Sequence, residues 1–155
     1  MAHSAALVTA MMRGRIVLAA AMAAAGCATP GGDSRYQMTG GEIRQPLTSA
    51  APDAEHGRKV LISRESNCIL CHAAPETGER FFGNLAPPLS GVGKRLTAAQ
   101  MRAHIVNPQY FNPQSIMPAY YRVDGLNRVA EPLRGKPVLT AEQIEDVIAY
   151  LLTLK

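Results

Sequence analysis

Apolar side chains recur with helical spacing in three stretches of this chain, most clearly in the last. Ile144, Val147, Ile148, Leu151 and Leu152 stand at i, i+3, i+4, i+7 and i+8, a single helical stripe. Thr140 precedes them as a natural N-cap, with Glu142 and Gln143 where a capping box wants them. A helix is also expected from Thr97 to Val106, opened by Thr97-Ala98-Ala99-Gln100 and stopped before Asn107-Pro108. The first helix opens at Pro52-Asp53, carries Val60, Leu61 and Ser63 on one face, and is expected to end near Asn67. No segment alternates with the period of two that marks a strand. The pattern predicts an all-α domain with long Pro-rich loops.

Those loops run from Ala73 to Lys94 and from Asn107 to Pro137, with Pro at 75, 87, 88, 108, 113, 118, 132 and 137. Irregular stretches of that length in a small domain are usually functional or wrapped around something. The chain has 155 residues, 47% of them apolar, enough for one domain with a modest core. Long loops and a modest core together suggest a large buried cofactor. The formal charge of +4 is mild, aromatics are only 5%, and no block of like charges appears, which excludes a dedicated nucleic-acid binder. Three cysteines are too few for a disulfide framework.

The N-terminus carries its own pattern. Arg13 and Arg15 precede the apolar run Ile16 to Ala25, which meets Gly26-Cys27, the order of a secretory signal over residues 1–27. The run is too short to span a bilayer as a helix. Ala24-Ala25-Gly26-Cys27 is similar to the bacterial lipobox, with Ala24 where Leu is usual. Two outcomes stay open: a lipid anchor at Cys27, or cleavage after Ala28 and a soluble periplasmic protein. Either way Arg13 and Arg15 leave with the leader, so the excess falls from +4 to +2 and implies no partner. Residues 28–51, punctuated by Thr29-Pro30-Gly31-Gly32 and Thr39-Gly40-Gly41, read as a flexible arm ahead of a domain at 52–155.

One motif names the cofactor. Cys68-Ile69-Leu70-Cys71-His72 is C-x-x-C-H, the attachment signature of haem c. Two thiols three apart on a tight turn reach the two vinyl groups of the porphyrin, and the following histidine is the proximal iron ligand. A thioredoxin-like reading would need a βαβ context, and a zinc site would need two further ligands. For the sixth iron position the candidates are Met38, Met101, Met117, His56 and His104. Met117 lies in Asn112-Pro113-Gln114-Ser115-Ile116-Met117-Pro118, where flanking prolines preset an irregular backbone that can aim a thioether. Met101 sits inside a helix, where methionine is more often core filler, Met38 in the arm, and both histidines have ordinary packed or surface readings. Met117 is the expected ligand. His/Met ligation fills both axial sites, raises the potential and suits one-electron transfer.

With these residues in place, the segment from about 53 to 155 resembles the class I cytochrome c fold. Gly57 and Leu61 match the first-helix positions that cross the last helix near Val147 and Tyr150. Pro87, in Pro87-Pro88-Leu89-Ser90-Gly91, matches the residue whose carbonyl accepts a hydrogen bond from the proximal histidine. Phe82-Gly83-Asn84-Leu85-Ala86-Pro87-Pro88-Leu89-Ser90-Gly91-Val92-Gly93, Asn112-Pro113 through Met117-Pro118-Ala119-Tyr120, and Gly135-Lys136-Pro137-Val138-Leu139-Thr140 resemble the SoxX family. That resemblance implies Cys68 and Cys71 as covalent haem attachments, and His72 and Met117 as axial ligands. It further implies a periplasmic heterodimer with SoxA that acts as an L-cysteine S-thiosulfotransferase. On the same resemblance the pair would couple thiosulfate oxidatively to a cysteine of the carrier SoxYZ, and this subunit would pass electrons to a small cytochrome c acceptor. A free-standing periplasmic electron carrier shares every haem argument. What separates the two readings is the stretch 119–137, where Tyr120, Tyr121, Leu126 and Val129 either form an exposed apolar patch for a permanent partner or pack over the haem edge.

Overall fold

A computed structural model describes residues 35–155. Its α-helices are α1 (Ala54–Ile62), α2 (Val92–Arg95), α3 (Ala98–Val106) and α4 (Ala141–Thr153). Short 3-10 turns at Cys68–Leu70, Pro75–Thr77, Pro108–Tyr110 and Glu131–Leu133 punctuate the loops. Among the described residues there is no strand, only isolated bridges at Thr39–Glu42 and His72–Ala86.

The helix starts follow from their caps. Asp53 accepts hydrogen bonds from the Glu55 and His56 amides at 2.9 and 3.1 Å. Thr97 and Thr140 each close a full capping box, with Gln100 and Gln143 returning the bond. The end of α1 differs from expectation: it stops at Ile62 rather than near Asn67. The Ser66 hydroxyl donates to the Val60 carbonyl at 2.6 Å and approaches that of Leu61 at 3.2 Å, and Ser63 is already extended. A side chain thus takes over carbonyls that a further helical turn would have used.

The core forms where α1 crosses α4. Val60 and Leu61 pack with Ile144, Val147, Ile148 and Leu151, joined by Met101, Ile105, Tyr120 and Leu139. The crossing is close because Gly57 has no side chain. A Cβ there would stand 1.9 Å from the Asp146 carbonyl oxygen, so the two backbones meet directly. Asp146 ties the same corner: its carboxylate accepts from the Asp53 amide and meets His56 Nδ1, each at 2.6 Å.

The segment expected as a loose arm is packed over its described part. Ile43 is buried, its amide donates to the Ala99 carbonyl at 3.1 Å, and Tyr36, Met38 and Leu47 lie half-buried around it. The cause is a buried ion pair. Arg102 donates twice to Glu145, at 2.6 and 2.7 Å, and spends a third N–H on the Ile43 carbonyl at 2.7 Å. Glu145 accepts in addition from the Leu47 amide at 2.8 Å. A desolvated pair needs its remaining donors and acceptors filled, and the arm's backbone supplies them. Residues 28–34, the expected leader at 1–27 and Cys27 lie outside the described residues.

Candidate haem site

The chain enters the C-x-x-C-H motif through Asn67 in the left-handed region, φ 51°, and turns at once into the 3-10 turn Cys68–Leu70. The Cys71 and His72 amides both return to the Cys68 carbonyl, at 3.2 and 3.0 Å. This tight winding puts both thiols and the histidine on one short turn, and neither cysteine is in a disulfide. Burial pushes the Cys68 thiol above its ordinary pKa, so it is held neutral.

His72 is oriented by a neighbouring loop. Its Nδ1 lies 2.7 Å from the Pro87 carbonyl oxygen. A carbonyl only accepts, so Nδ1 is the donor and Nε2 keeps the lone pair that a metal needs. Pro87 is in place because residues 83–89 run alongside 69–73. The Gly83 amide donates to the Ile69 carbonyl at 2.7 Å, Ala86 to Cys71 at 2.9 Å, and Leu89 to Ala73 at 2.8 Å. Gly83 is needed for this approach, since a Cβ there would stand 1.9 Å from the Leu70 carbonyl oxygen.

Met117 lies half-buried and packs against the main core cluster, as Cys68, Ile69 and Leu89 also do. The other sixth-ligand candidates are engaged elsewhere. Met101 is buried in the core, Met38 packs beside Ile43, and His56 pairs with Asp146. His104 stacks on Phe111 with ring centroids 3.9 Å apart, and burial lowers its pKa. Of the residues weighed for either an exposed patch or packing over the haem edge on 119–137, Leu126 is exposed, Tyr121 and Val129 are half-buried, and Tyr120 is buried in the core. Its hydroxyl donates to the Ser66 carbonyl, joining the Met117 loop to the turn ahead of Cys68, and burial pushes its pKa upward. Exposed apolar side chains stand at Leu70, Phe81, Phe82, Leu85 and Ile116, on the motif and the two loops around it, and at Leu126 and Leu133 within 119–137.

Sequence reasoning missed Gln109, whose amide reaches the backbone of the Met117 loop, and Arg122, which holds Gln109. No local motif marks either residue; their partners lie across a loop. The donor set fits haem c: two unpaired thiols, an imidazole with Nε2 left open, a thioether, and apolar surface for a flat ring to cover.

The family model for cytochrome c matches residues 54–155. A chain in the crystal structure of SoxXA from P. pantotrophus aligns with a TM-score of 0.71 and 36% identity, over 77% of this chain and 94% of that one. The chain is a cytochrome c of the SoxX type. A comparison with curated proteins finds no match. As a SoxX-type cytochrome it has the class I all-α fold, carries one covalently bound haem c with its iron, and serves electron transfer.

Proposed function

We propose that this chain is the electron-accepting subunit of a periplasmic SoxAX-type complex, exported by the signal at 1–27, paired with a SoxA subunit and acting on thiosulfate and a SoxYZ-type carrier. The observation that carries the reading is the 36% identity extending over 94% of the SoxXA chain. Within it, Cys68 and Cys71 would hold the haem covalently, His72 and Met117 would ligate its iron, and Pro87 orients His72 through the 2.7 Å bond. The haem iron supplies a one-electron redox couple when bound. The Pro87 bond fixes the tautomer of His72 and strengthens it as a donor. The Met117 thioether would occupy the second protein ligand site of the iron and so keep small ligands away.

The chemistry of the pair sets the electron count. Joining a carrier cysteine thiol to thiosulfate through a new S–S bond releases two electrons and the thiol proton. This subunit takes the electrons one at a time and hands them to a small cytochrome c.

Purification from the native periplasmic or membrane fraction at low salt tests the proposal. A second haem protein should co-purify in equal amount, and thiosulfate with the carrier should reduce the haem. A lone low-spin cytochrome that thiosulfate and carrier leave oxidised would instead make it a free-standing electron carrier.

A further inference from the structure

Gln109 spans the bend that presents Met117. It stands in the 3-10 turn Pro108–Tyr110, just after α3. Its Nε2 donates to the Met117 carbonyl at 2.8 Å and to the Ser115 carbonyl at 3.2 Å. Its Oε1 accepts from the Arg122 guanidinium at 3.2 Å. The partners force this orientation: two carbonyls only accept and a guanidinium only donates, so a flipped amide would oppose all three. Arg122 is itself anchored, its other terminal nitrogen donating to the Asp124 carbonyl at 2.6 Å and its amide to the Val106 carbonyl at 3.2 Å. The Met117 amide donates to the Ser115 hydroxyl at 3.3 Å. Both backbone polar groups of Met117 are therefore tied, and its carbonyl is tied by a side chain.

This matters because methionine is unbranched, with three rotatable bonds. Its sulfur is aimed by the backbone it hangs from more than by its own rotamer. The neighbouring prolines limit the φ angles of 113 and 118, but they do not fix where the loop sits relative to the rest of the molecule. The Gln109–Arg122 link does, because it connects the loop to the end of α3 and to the chain leaving the loop.

We propose that Gln109 is the positioning residue for the axial methionine, its amide clamping the Ser115 and Met117 carbonyls so that the thioether stays on the iron. The proposal rests on the reading of Met117 as axial ligand. Gln109→Glu is the sharpest variant: it keeps the shape and the Arg122 pairing but turns an oxygen toward the two carbonyls. Gln109→Ala serves if that variant does not fold.

The holoprotein is read by the near-infrared iron–sulfur charge-transfer band of its ferric form, by its midpoint potential, and by imidazole titration of the ferric iron. With Gln109→Glu or Gln109→Ala the band should weaken, the potential fall and imidazole bind about tenfold more tightly, the scale set by losing two neutral hydrogen bonds. Gly57→Ala, which strains the α1–α4 crossing and touches none of the clamp's hydrogen bonds, should lower stability and leave all three unchanged. Wild-type band, potential and imidazole affinity in both Gln109 variants would overturn the clamp. Met117→Ala separates the two ideas. If it abolishes the band while the Gln109 variants do nothing, only the clamp falls. If it too changes nothing, the ligand is another residue and both readings fall.

Discussion

The α1–α4 crossing and the two loops around the haem motif are built by opposite means. At the crossing, backbone meets backbone across Gly57, and apolar side chains from both helices close around it. In the loops, backbone is held in part by side chains from elsewhere: Gln109 on Ser115 and Met117, Tyr120 on Ser66, and His72 on Pro87. The frame resists change through packing, which is non-directional and costly to disturb. The loops resist through single directional bonds, each modest, so their geometry can be tuned one bond at a time. Stability therefore resides mainly in the crossing and ligand geometry in the loops.

The largest break should come from the buried ion pair that joins α3 to α4. Glu145→Ala leaves Arg102 desolvated and unpaired and releases Leu47, at about 3–5 kcal/mol in urea denaturation. Replacing both partners with apolar residues should recover only part of that loss, because the Ile43 carbonyl and the Leu47 amide still lose their partners. Gly57→Ala comes next: the new methyl meets the Asp146 carbonyl and must push the helices apart, costing about 1–3 kcal/mol by the same measurement. In the loops, Tyr120→Phe removes the donor to the Ser66 carbonyl, at about 1–2 kcal/mol. Unlike the frame variants, it should also perturb the haem absorption spectrum.

The smallest effect depends on pH. Asp53 has its pKa lowered, first by the His56 amide and also by that of Glu55. A lowered folded pKa gives stability that is present above the ordinary carboxylate range and lost as pH falls through the folded value. Asp53→Asn keeps an acceptor at the cap without the charge. The wild type should therefore be the more stable at neutral pH, and the difference should close in acid titration followed by circular dichroism.

Much of this is legible in the local chemistry of the sequence. Thr97 and Thr140 announce their helices because a cap and its return partner lie three residues apart. Cys68, Cys71 and His72 are adjacent in sequence because attachment requires it, and a resemblance brought Pro87 to His72. The arm was misread because what buries Ile43 is an ion pair between Arg102 and Glu145, both distant in sequence from the arm. The end of α1 was misplaced because a serine hydroxyl, indistinguishable in sequence from a surface one, takes the last carbonyls. Gln109 was invisible for the same reason: its role lies in the bend of residues 115–117, which periodicity does not describe.

The excursion that carries Met117 leaves α3 at Val106 and comes back to it. The Tyr120 amide donates to the Ile105 carbonyl at 3.1 Å and the Arg122 amide to that of Val106 at 3.2 Å. Its two ends are thus pinned side by side on the last turn of one helix. Such a segment can swing out and reclose as a unit while α3 stays intact, well below the free energy of global unfolding. Amide exchange across 109–118 should then occur through a single shared opening, faster than in α1 or α4, and the protein would be able to bare its metal without melting.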